Sequence, residues 1–176
     1  MSGKLLVAYA SRGGSTAAVA EVMGRTLEEY GIAVDVRPVQ EVTDVTPYWA
    51  VITGSAIHTG EWLPEAMDFV QRHQAGLNQR PFAAFLMCMA MSLKPGMLLG
   101  TVKNWMQPVR DLVPLVSEGY FAGVVDPEQV DFSSQDHSLF NMMISLGIFR
   151  EGDHRDWDAL RAWTLETAST LAATQA

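Results

Sequence analysis

Residues 4–16, KLLVAYASRGGST, decide how this chain folds. The run opens with a short, mostly apolar segment over residues 4–10, a pattern typical of a strand that is buried on both faces of a sheet. Glycines, hydroxyl side chains and one arginine follow over residues 11–16 and lead into a segment with helical periodicity. A buried strand that turns through a glycine-rich loop into a helix is a common way to bind a phosphate group.

The rest of the chain continues this alternation of strands and helices. A helix is predicted over 15–30 because apolar residues recur there at three- or four-residue spacing, at Val19, Met23, Leu27 and Tyr30, before a stop at Gly31. Further strands are predicted at 33–39, 49–55, 81–89 and within 115–125, and further helices at 63–77, 95–106 and 156–173. Pro108 is expected to end or kink the helix before it. Asp156 is expected to cap the last helix, whose inner stripe is Leu160, Trp163, Thr167 and Leu171.

Five strands alternating with helices predict an α/β fold, in which helices cover both faces of a parallel sheet. A phosphate loop after the first strand favours the strand order 2-1-3-4-5. Ligands of such sheets bind beyond the carboxyl ends of the strands, which directs attention to the loops at 11–16, 55–62 and 89–95. We expect a single domain over residues 1–176, with an insert at about 126–155 before the last helix.

The composition restricts the kinds of partner. The chain has 176 residues, of which 48% are hydrophobic, and a formal net charge of −8. An acidic surface repels phosphates, so nucleic acid is not an expected partner, whereas a basic protein is a suitable one. No apolar run reaches the length of about 18 residues that a membrane span needs, so no transmembrane segment is expected.

Cysteine and histidine usage argues against a disulfide or a metal site. Cys88 is the only cysteine, so it forms no internal disulfide, and a reducing compartment such as the cytoplasm fits best. The histidines at 58, 73, 137 and 154 are scattered, without the spacing of metal ligands. We expect no metal, and no catalytic residue is assigned.

The first loop has the features of a phosphate site. Backbone N–H groups at a helix start are unpaired, and Gly13 and Gly14 allow the backbone to approach a ligand closely. Hydroxyl donors and one cation complete the candidate set: Ser11, Arg12, Ser15 and Thr16. The lysine of a Walker loop and the third glycine of a Rossmann fingerprint are both missing. From the residues alone, a capped helix start with a glycine turn is an equal alternative.

This loop resembles the FMN-phosphate loop of flavodoxins, which runs approximately hydroxyl-x-hydroxyl-Gly-x-Thr. Ser11, Gly14 and Thr16 match that pattern, and Gly13 stands where a hydroxyl residue is common. The resemblance implies a flavodoxin-like three-layer sandwich that binds flavin mononucleotide (FMN).

The same resemblance assigns the two other loops to the isoalloxazine ring of FMN. In the loop after the third strand, Trp62 is a candidate for stacking on the ring and His58 for a hydrogen bond. The neighbouring candidates in this loop are Ser55, Ala56, Ile57, Thr59 and Gly60. The loop after the fourth strand is expected to hold the pyrimidine edge through Met89, Ala90, Met91 and Ser92. The alternatives are that Trp62 packs against the next helix, that His58 has no role and that the methionines fill the core.

Residues 9–16 are also similar to the opening of the protoporphyrinogen dehydrogenase subfamily, which is quinone-linked. That subfamily likewise ends its fifth strand in Phe-Ala-Gly, here residues 121–123, and opens its last helix with Asp-Trp, here residues 156–157. The resemblance implies an FMN-dependent oxidoreductase that passes electrons to a quinone. A flavodoxin-like carrier that moves electrons between protein partners is the alternative.

The insert contains an apolar segment over residues 137–149 within an acidic context. A helix there would place Leu139, Phe140, Met143 and Leu146 on one side. We interpret this segment as an amphipathic cover beside the flavin that contacts a small apolar substrate, a quinone or a redox protein. The alternatives are a cover for the sheet edge, a homodimer contact or a peripheral contact with a membrane.

Overall fold

The computed structural model describes residues 3–93, 98–126, 142 and 145–175. The strands of its main sheet, in chain order, are β1 (Lys4–Ala10), β2 (Val34–Pro38), β3 (Tyr48–His58), β4 (Glu61–Trp62), β5 (Phe82–Cys88) and β6 (Ser117–Ala122). Five of them are parallel in the order β2-β1-β3-β5-β6, and β4 pairs antiparallel with the end of β3. The parallel strands therefore confirm the predicted order 2-1-3-4-5.

Helices cover both faces of this sheet. They are α1 (Ser15–Glu29), α2 (Pro64–Arg72), α3 (Gln74–Leu77), α4 (Leu99–Asn104), α5 (Gln107–Arg110) and α6 (Trp157–Thr174). Buried residues of α1 and α6 form one hydrophobic cluster with the sheet, and those of α2, α4 and α5 form the other. The α/β sandwich expected from the alternation of elements is therefore confirmed.

Strand β1 shows how the sheet is held between the two helical layers. Leu5 and Val7 belong to the cluster with α1 and α6, whereas Leu6 and Ala8 belong to the opposite cluster. All four side chains are fully buried. Successive side chains of a strand point to opposite faces, so an uninterrupted apolar run is the sequence pattern that a two-sided sheet requires.

Phe85 links three adjacent strands at the centre of the sheet. Its neighbours in register are Gly54 of β3 and Gly119 of β6. A Cβ atom at Gly54 would overlap the Phe85 ring, and one at Gly119 would lie 3.0 Å from the Phe85 Cβ. The ring also packs edge-on against Trp163 of α6, at a centroid distance of 6.1 Å. The two glycines therefore leave the space that Phe85 fills.

Several helix boundaries differ from the predicted ones. The first helix ends at Glu29 and Gly31 has a φ of 77°, so Tyr30 is 67% exposed and does not lie on the inner stripe. The helix predicted at 63–77 is divided at His73 into α2 and α3. Pro108 lies in the first turn of α5, where its missing N–H breaks no helical hydrogen bond. The helix predicted at 95–106 is present as α4, and residues 94–97 lie outside the described part.

A short ribbon closes the base of the insert. Strand β7 (Val124–Val125) pairs antiparallel with β8 (Gly152–Asp153), so the predicted fifth strand ends at Ala122 and the chain then enters a second, two-stranded sheet. The Arg155 side chain donates to Asp153 at 2.6 Å and lies over the Trp157 ring. The predicted N-cap is confirmed, because the Asp156 side chain accepts a hydrogen bond from Ala159 N.

Much of the predicted amphipathic segment lies outside the described residues. Leu139, Phe140 and Met143 belong to the part that is not described. Leu146 is 67% exposed, and Met142 and Ile148 are also exposed. None of the helices in the described ranges is long and apolar enough to cross a membrane.

The contact between Gly54 and Phe85 predicts a paired mutational result. Gly54→Ala should lower the free energy of unfolding by about 2 kcal/mol, because the added methyl group meets a ring that the packed core holds in place. Gly100→Ala adds the same methyl group in α4, where nothing lies within 4 Å, and should leave the stability unchanged or raise it by up to about 1 kcal/mol. Urea unfolding of both apoproteins measures the difference. Equal effects would show that the glycine is not needed at position 54.

Candidate functional site

A cleft of about 500 Å³ lies at the carboxyl ends of β1, β3 and β5. This is the edge of the sheet at which the three predicted loops meet. The cleft is lined by Arg12, Gly13, Ser15, Thr16, Ala56, Ile57, His58, Thr59, Leu63, Met87, Cys88, Met89, Gly123, Val124 and Asp126. Its size falls within the range of small-molecule and cofactor sites.

Nine of the seventeen predicted site residues lie in this lining. They come from all three loops and are Arg12, Gly13, Ser15, Thr16, Ala56, Ile57, His58, Thr59 and Met89. The other eight predicted residues are not part of the lining: Ser11, Gly14, Ser55, Gly60, Trp62, Ala90, Met91 and Ser92. The structure thus brings the three loops together, but only some residues of each loop line the cleft.

The first loop holds three hydroxyl groups that lack partners. The side-chain oxygens of Ser11, Ser15 and Thr16 are buried, and none of them has a hydrogen bond to the described part of the protein. Burying a hydroxyl group without a partner costs roughly 1–3 kcal/mol. Three such groups at one helix start are therefore arranged for a ligand that accepts hydrogen bonds.

Backbone geometry in the same loop supports this assignment. Gly14 is the N-cap of α1, has a φ of 79° and supplies no side-chain cap, so the first-turn N–H groups of the helix keep their capacity to donate. A Cβ atom at Gly14 would meet nothing within 4 Å, so the space beside it is open. Hydroxyl groups and free amides around an open space suit a phosphate.

Gly123 is a site residue that the sequence analysis did not assign. A Cβ atom at this position would lie 3.6 Å from the Ser15 hydroxyl oxygen, so Gly123 lies next to the first loop in the cleft lining. Its carbonyl oxygen accepts a hydrogen bond from His154 N at 3.2 Å, which ties it to the base of the insert. In the sequence, Gly123 stands out only as the last residue of the Phe-Ala-Gly motif. That motif is the signal from which this site residue could have been found.

The second loop is a β-hairpin with a strained turn. His58 of β3 pairs with Glu61 of β4, and the two residues between them, Thr59 and Gly60, have φ values of 50° and 83°. Two left-handed residues form the tight turn that matches strand twist, but a β-branched threonine is rarely found in this conformation. The turn packs against Trp105, whose Nε1 would lie 3.1 Å from a Cβ atom at Gly60. This support holds Ile57, His58 and Thr59 against the cleft.

Trp62 is placed away from the cleft. Its side chain is 4% exposed and belongs to the cluster of buried residues that also contains Ala66 and Phe69 of α2. In this position the indole has no free face for a flavin ring, so the geometry favours the alternative that Trp62 packs against the next helix. The pairing of Ile57 with Trp62 turns the side chain inward, and sequence spacing alone did not indicate this pairing.

Two predicted serines use their hydroxyl groups within the protein. Ser55 accepts a hydrogen bond from Leu63 N at 3.0 Å and donates one to its neighbour, Ala56 O, at 2.7 Å. Ser92 donates to Met89 O at 2.6 Å. These hydroxyl groups stabilise the second and third loops, so a direct contact with the cofactor is not supported for them.

Cys88 lines the cleft at the end of β5, next to Met87 and Met89. The thiol is buried, and burial raises its pKa to about 11. A thiol with this pKa stays protonated at neutral pH and is a poor nucleophile. Cys88 therefore contributes shape and polarisable surface to the cleft, in agreement with its predicted place on a buried strand.

Comparisons with known proteins agree with the fold and the cofactor site that the geometry indicates. The sequence matches the Flavodoxin domain family over residues 6–143. It is 30% identical over 86 residues to the protoporphyrinogen IX dehydrogenase [quinone] of Escherichia coli strain K12. That match covers 47% of this chain and 46% of the relative, so the chain spans under half the length of the curated relatives it matches.

Solved flavodoxin structures have the same fold. A flavodoxin from the domain Archaea has a TM-score of 0.57 at 17% identity, over 96% of this chain and 99% of that one. A short-chain flavodoxin associated with a bacterial microcompartment has a TM-score of 0.60 at 13% identity, over the whole of both chains. Flavodoxin from Streptococcus pneumoniae has a TM-score of 0.57 at 18% identity, over 98% and 99%.

The fold and the hydroxyl-rich loop define an α/β protein that binds a phosphorylated cofactor at the carboxyl edge of its sheet. The chain belongs to the flavodoxin domain family. Its cofactor is FMN, a flavin that takes up and releases electrons. The three unpartnered hydroxyl groups fit the phosphate of FMN.

The open space beside Gly14 predicts how charge affects FMN binding. Gly14→Asp should weaken binding by roughly a hundredfold, because a carboxylate next to a phosphate costs several kcal/mol. Gly14→Asn has nearly the same shape, tolerates a positive φ and carries no charge, so it should bind FMN within about tenfold of the wild type. Quenching of flavin fluorescence measures both dissociation constants. Equal losses in the two variants would contradict a phosphate at this position.

The raised pKa of Cys88 predicts slow thiol chemistry. At pH 8 the folded protein should react with iodoacetamide roughly a hundredfold more slowly than in urea, where the thiol has its usual pKa of about 8.5. The rate should rise with pH toward 11. Because the folded pKa lies above the unfolded one, this group's contribution to stability is present below about pH 8.5 and decreases as the pH rises. FMN should slow the reaction further, and a rate that is equally fast in the folded protein would contradict the burial.

Proposed function

We propose that this protein is an FMN-dependent oxidoreductase of the protoporphyrinogen dehydrogenase type, which oxidises a small apolar substrate and passes the electrons to a quinone. One observation carries the proposal: the cleft extends from the loops at the strand ends to the base of the insert. Gly123, Val124 and Asp126 line it together with the first loop. The insert therefore starts where a substrate beside the flavin would have to lie.

The proposed roles of the residues follow from their chemistry. Ser11, Ser15 and Thr16 bind the phosphate with their hydroxyl groups, although only the last two reach the cleft surface itself. Apolar side chains of the cleft lining pack on the ring and exclude water: Ile57, Leu63, Met87, Met89 and Val124. His58 is the residue of the second loop with a ring nitrogen for a hydrogen bond to the flavin or the substrate.

The alternative function is an electron carrier between proteins. Its support is the net charge of −8, which would attract a basic partner and speed its association. A carrier needs only an accessible ring edge, and Thr59 at the mouth of the cleft is exposed. In this function the insert would form part of the partner contact and would not cover a substrate.

The surface of the insert suggests where a quinone or a membrane would approach. Met142, Leu146 and Ile148 are exposed apolar side chains within residues 142–148. Exposed apolar surface of this kind is typical of an interaction site. The proposed place of action is the cytoplasm, with peripheral contact to a membrane that holds the quinone; a homodimer contact is the other use of this surface.

A turnover assay tests the proposal against the alternative. Protein loaded with FMN is mixed with protoporphyrinogen IX and a menaquinone analogue, and the formation of protoporphyrin and of the quinol is followed. Oxidation that depends on both FMN and the quinone supports the enzyme. Failure of this reaction, together with rapid electron exchange with a basic redox protein, would favour the carrier.

The exposed apolar side chains predict the effect of a polar substitution in the insert. Leu146→Asn should raise the KM for the quinone by about fivefold, because it removes apolar contact area, and should leave FMN binding unchanged. Tyr30→Asn is the matched control, since Tyr30 is equally exposed at 67% but lies in the turn that ends α1. Steady-state kinetics distinguish the two variants. An unchanged KM in Leu146→Asn would show that this part of the insert does not contact the quinone.

A further inference from the structure

The first loop contains a cation that the fold itself does not use. Arg12 is exposed at the cleft, and it forms no hydrogen bond or ion pair with any residue in the described ranges. Some cations of the described ranges have carboxylate partners, such as Lys4 with Asp35 and Arg110 with Glu118, whereas Arg25 of α1, like Arg12, has none there. Arg12 differs from Arg25 because it lines the cleft, in a chain that carries eight more acidic than basic residues.

The surroundings of Arg12 favour an anionic ligand. The neighbouring hydroxyl groups of Ser11, Ser15 and Thr16 are buried without a partner among the described residues, and the Thr16 residue is only 1% exposed. The first turn of α1 contains no acidic residue that would compete for the guanidinium group. Asp126, which follows β7, is the acidic residue of the cleft lining, and it is engaged in an interaction of its own.

We propose that Arg12 is the counter-charge of the FMN phosphate, so that the site selects FMN over riboflavin by charge in addition to hydrogen bonding. The hydroxyl groups and backbone amides are neutral donors that fix the position of the phosphate. The guanidinium group adds a planar pair of charged donors that matches two phosphate oxygens. Riboflavin lacks the phosphate and gains nothing from Arg12.

The size of the effect follows from the exposure of Arg12. Water screens an exposed ion pair, which lowers its contribution well below that of a buried one. Charge-assisted hydrogen bonds to a doubly charged phosphate partly offset this screening. The expected contribution to FMN affinity is about tenfold, with a clear dependence on salt.

Binding of the two flavins to the apoprotein tests the inference without any turnover. The variants are Arg12→Gln, Arg12→Lys and the control Arg25→Gln, which removes the same charge from an exposed position in α1, 13 residues further along the chain. Arg12→Gln should weaken FMN binding by about tenfold and riboflavin binding by less than about twofold. Arg12→Lys should give an intermediate FMN affinity, and Arg25→Gln should bind both flavins as the wild type does. Added potassium chloride should weaken FMN binding more in the wild type than in Arg12→Gln.

Several results would overturn the inference. If Arg12→Gln binds FMN as tightly as the wild type, Arg12 interacts with solvent or with a protein acceptor and not with the phosphate. An equal loss of FMN and riboflavin would mean that Arg12 only supports the loop, and circular dichroism would show any loss of fold. A wild-type protein that binds neither flavin would overturn both this inference and the cofactor. The inference rests on FMN and not on the substrate, so a negative turnover assay leaves it intact.

Discussion

The packing of Phe85 between Gly54 and Gly119 is the constraint on which the site depends. One ring fills the space above two neighbouring strands, so β3, β5 and β6 fit together in a single register. A shift by one residue would place a side chain against the ring and turn the apolar faces of the strand toward the wrong layer. The ends of these strands, and with them the loops that form the cleft, are fixed by a contact in the middle of the sheet.

The features that favour ligand binding at the site lower the stability of the free protein. Three buried hydroxyl groups, which have no partner in the part of the chain that the structure describes, and a threonine with a φ of 50° each raise the free energy of the apoprotein. A ligand that accepts hydrogen bonds from these hydroxyl groups offsets part of this free-energy cost. Because it binds the folded protein, it also stabilises the fold by mass action. The well-packed sheet, with fully buried side chains on both faces of β1, tolerates these local costs.

The sequence predicted the features that depend on local chemistry. The buried strand at residues 4–10, the loop that follows it and the cap at Asp156 were all identified from residue type and spacing. The burial of Trp62 depends on the pairing of β3 with β4 through a turn whose Thr59-Gly60 sequence is not a usual hairpin signal. Gly123 and Asp126 line the cleft beside the first loop, although they follow that loop by more than a hundred residues in the chain. Local sequence patterns carry no information about such contacts.

The ribbon of β7 and β8 has a consequence for how the family can diversify. Its two residue pairs and the hydrogen bond from His154 N to Gly123 O hold the ends of the insert together at the rim of the cleft. The entropy of closing a loop grows only with the logarithm of its length, so each doubling costs only about 0.6 kcal/mol. Segments of very different length and composition can therefore be exchanged between the same two ends. Evolution can change what approaches the flavin while the sheet and the phosphate loop keep their sequence.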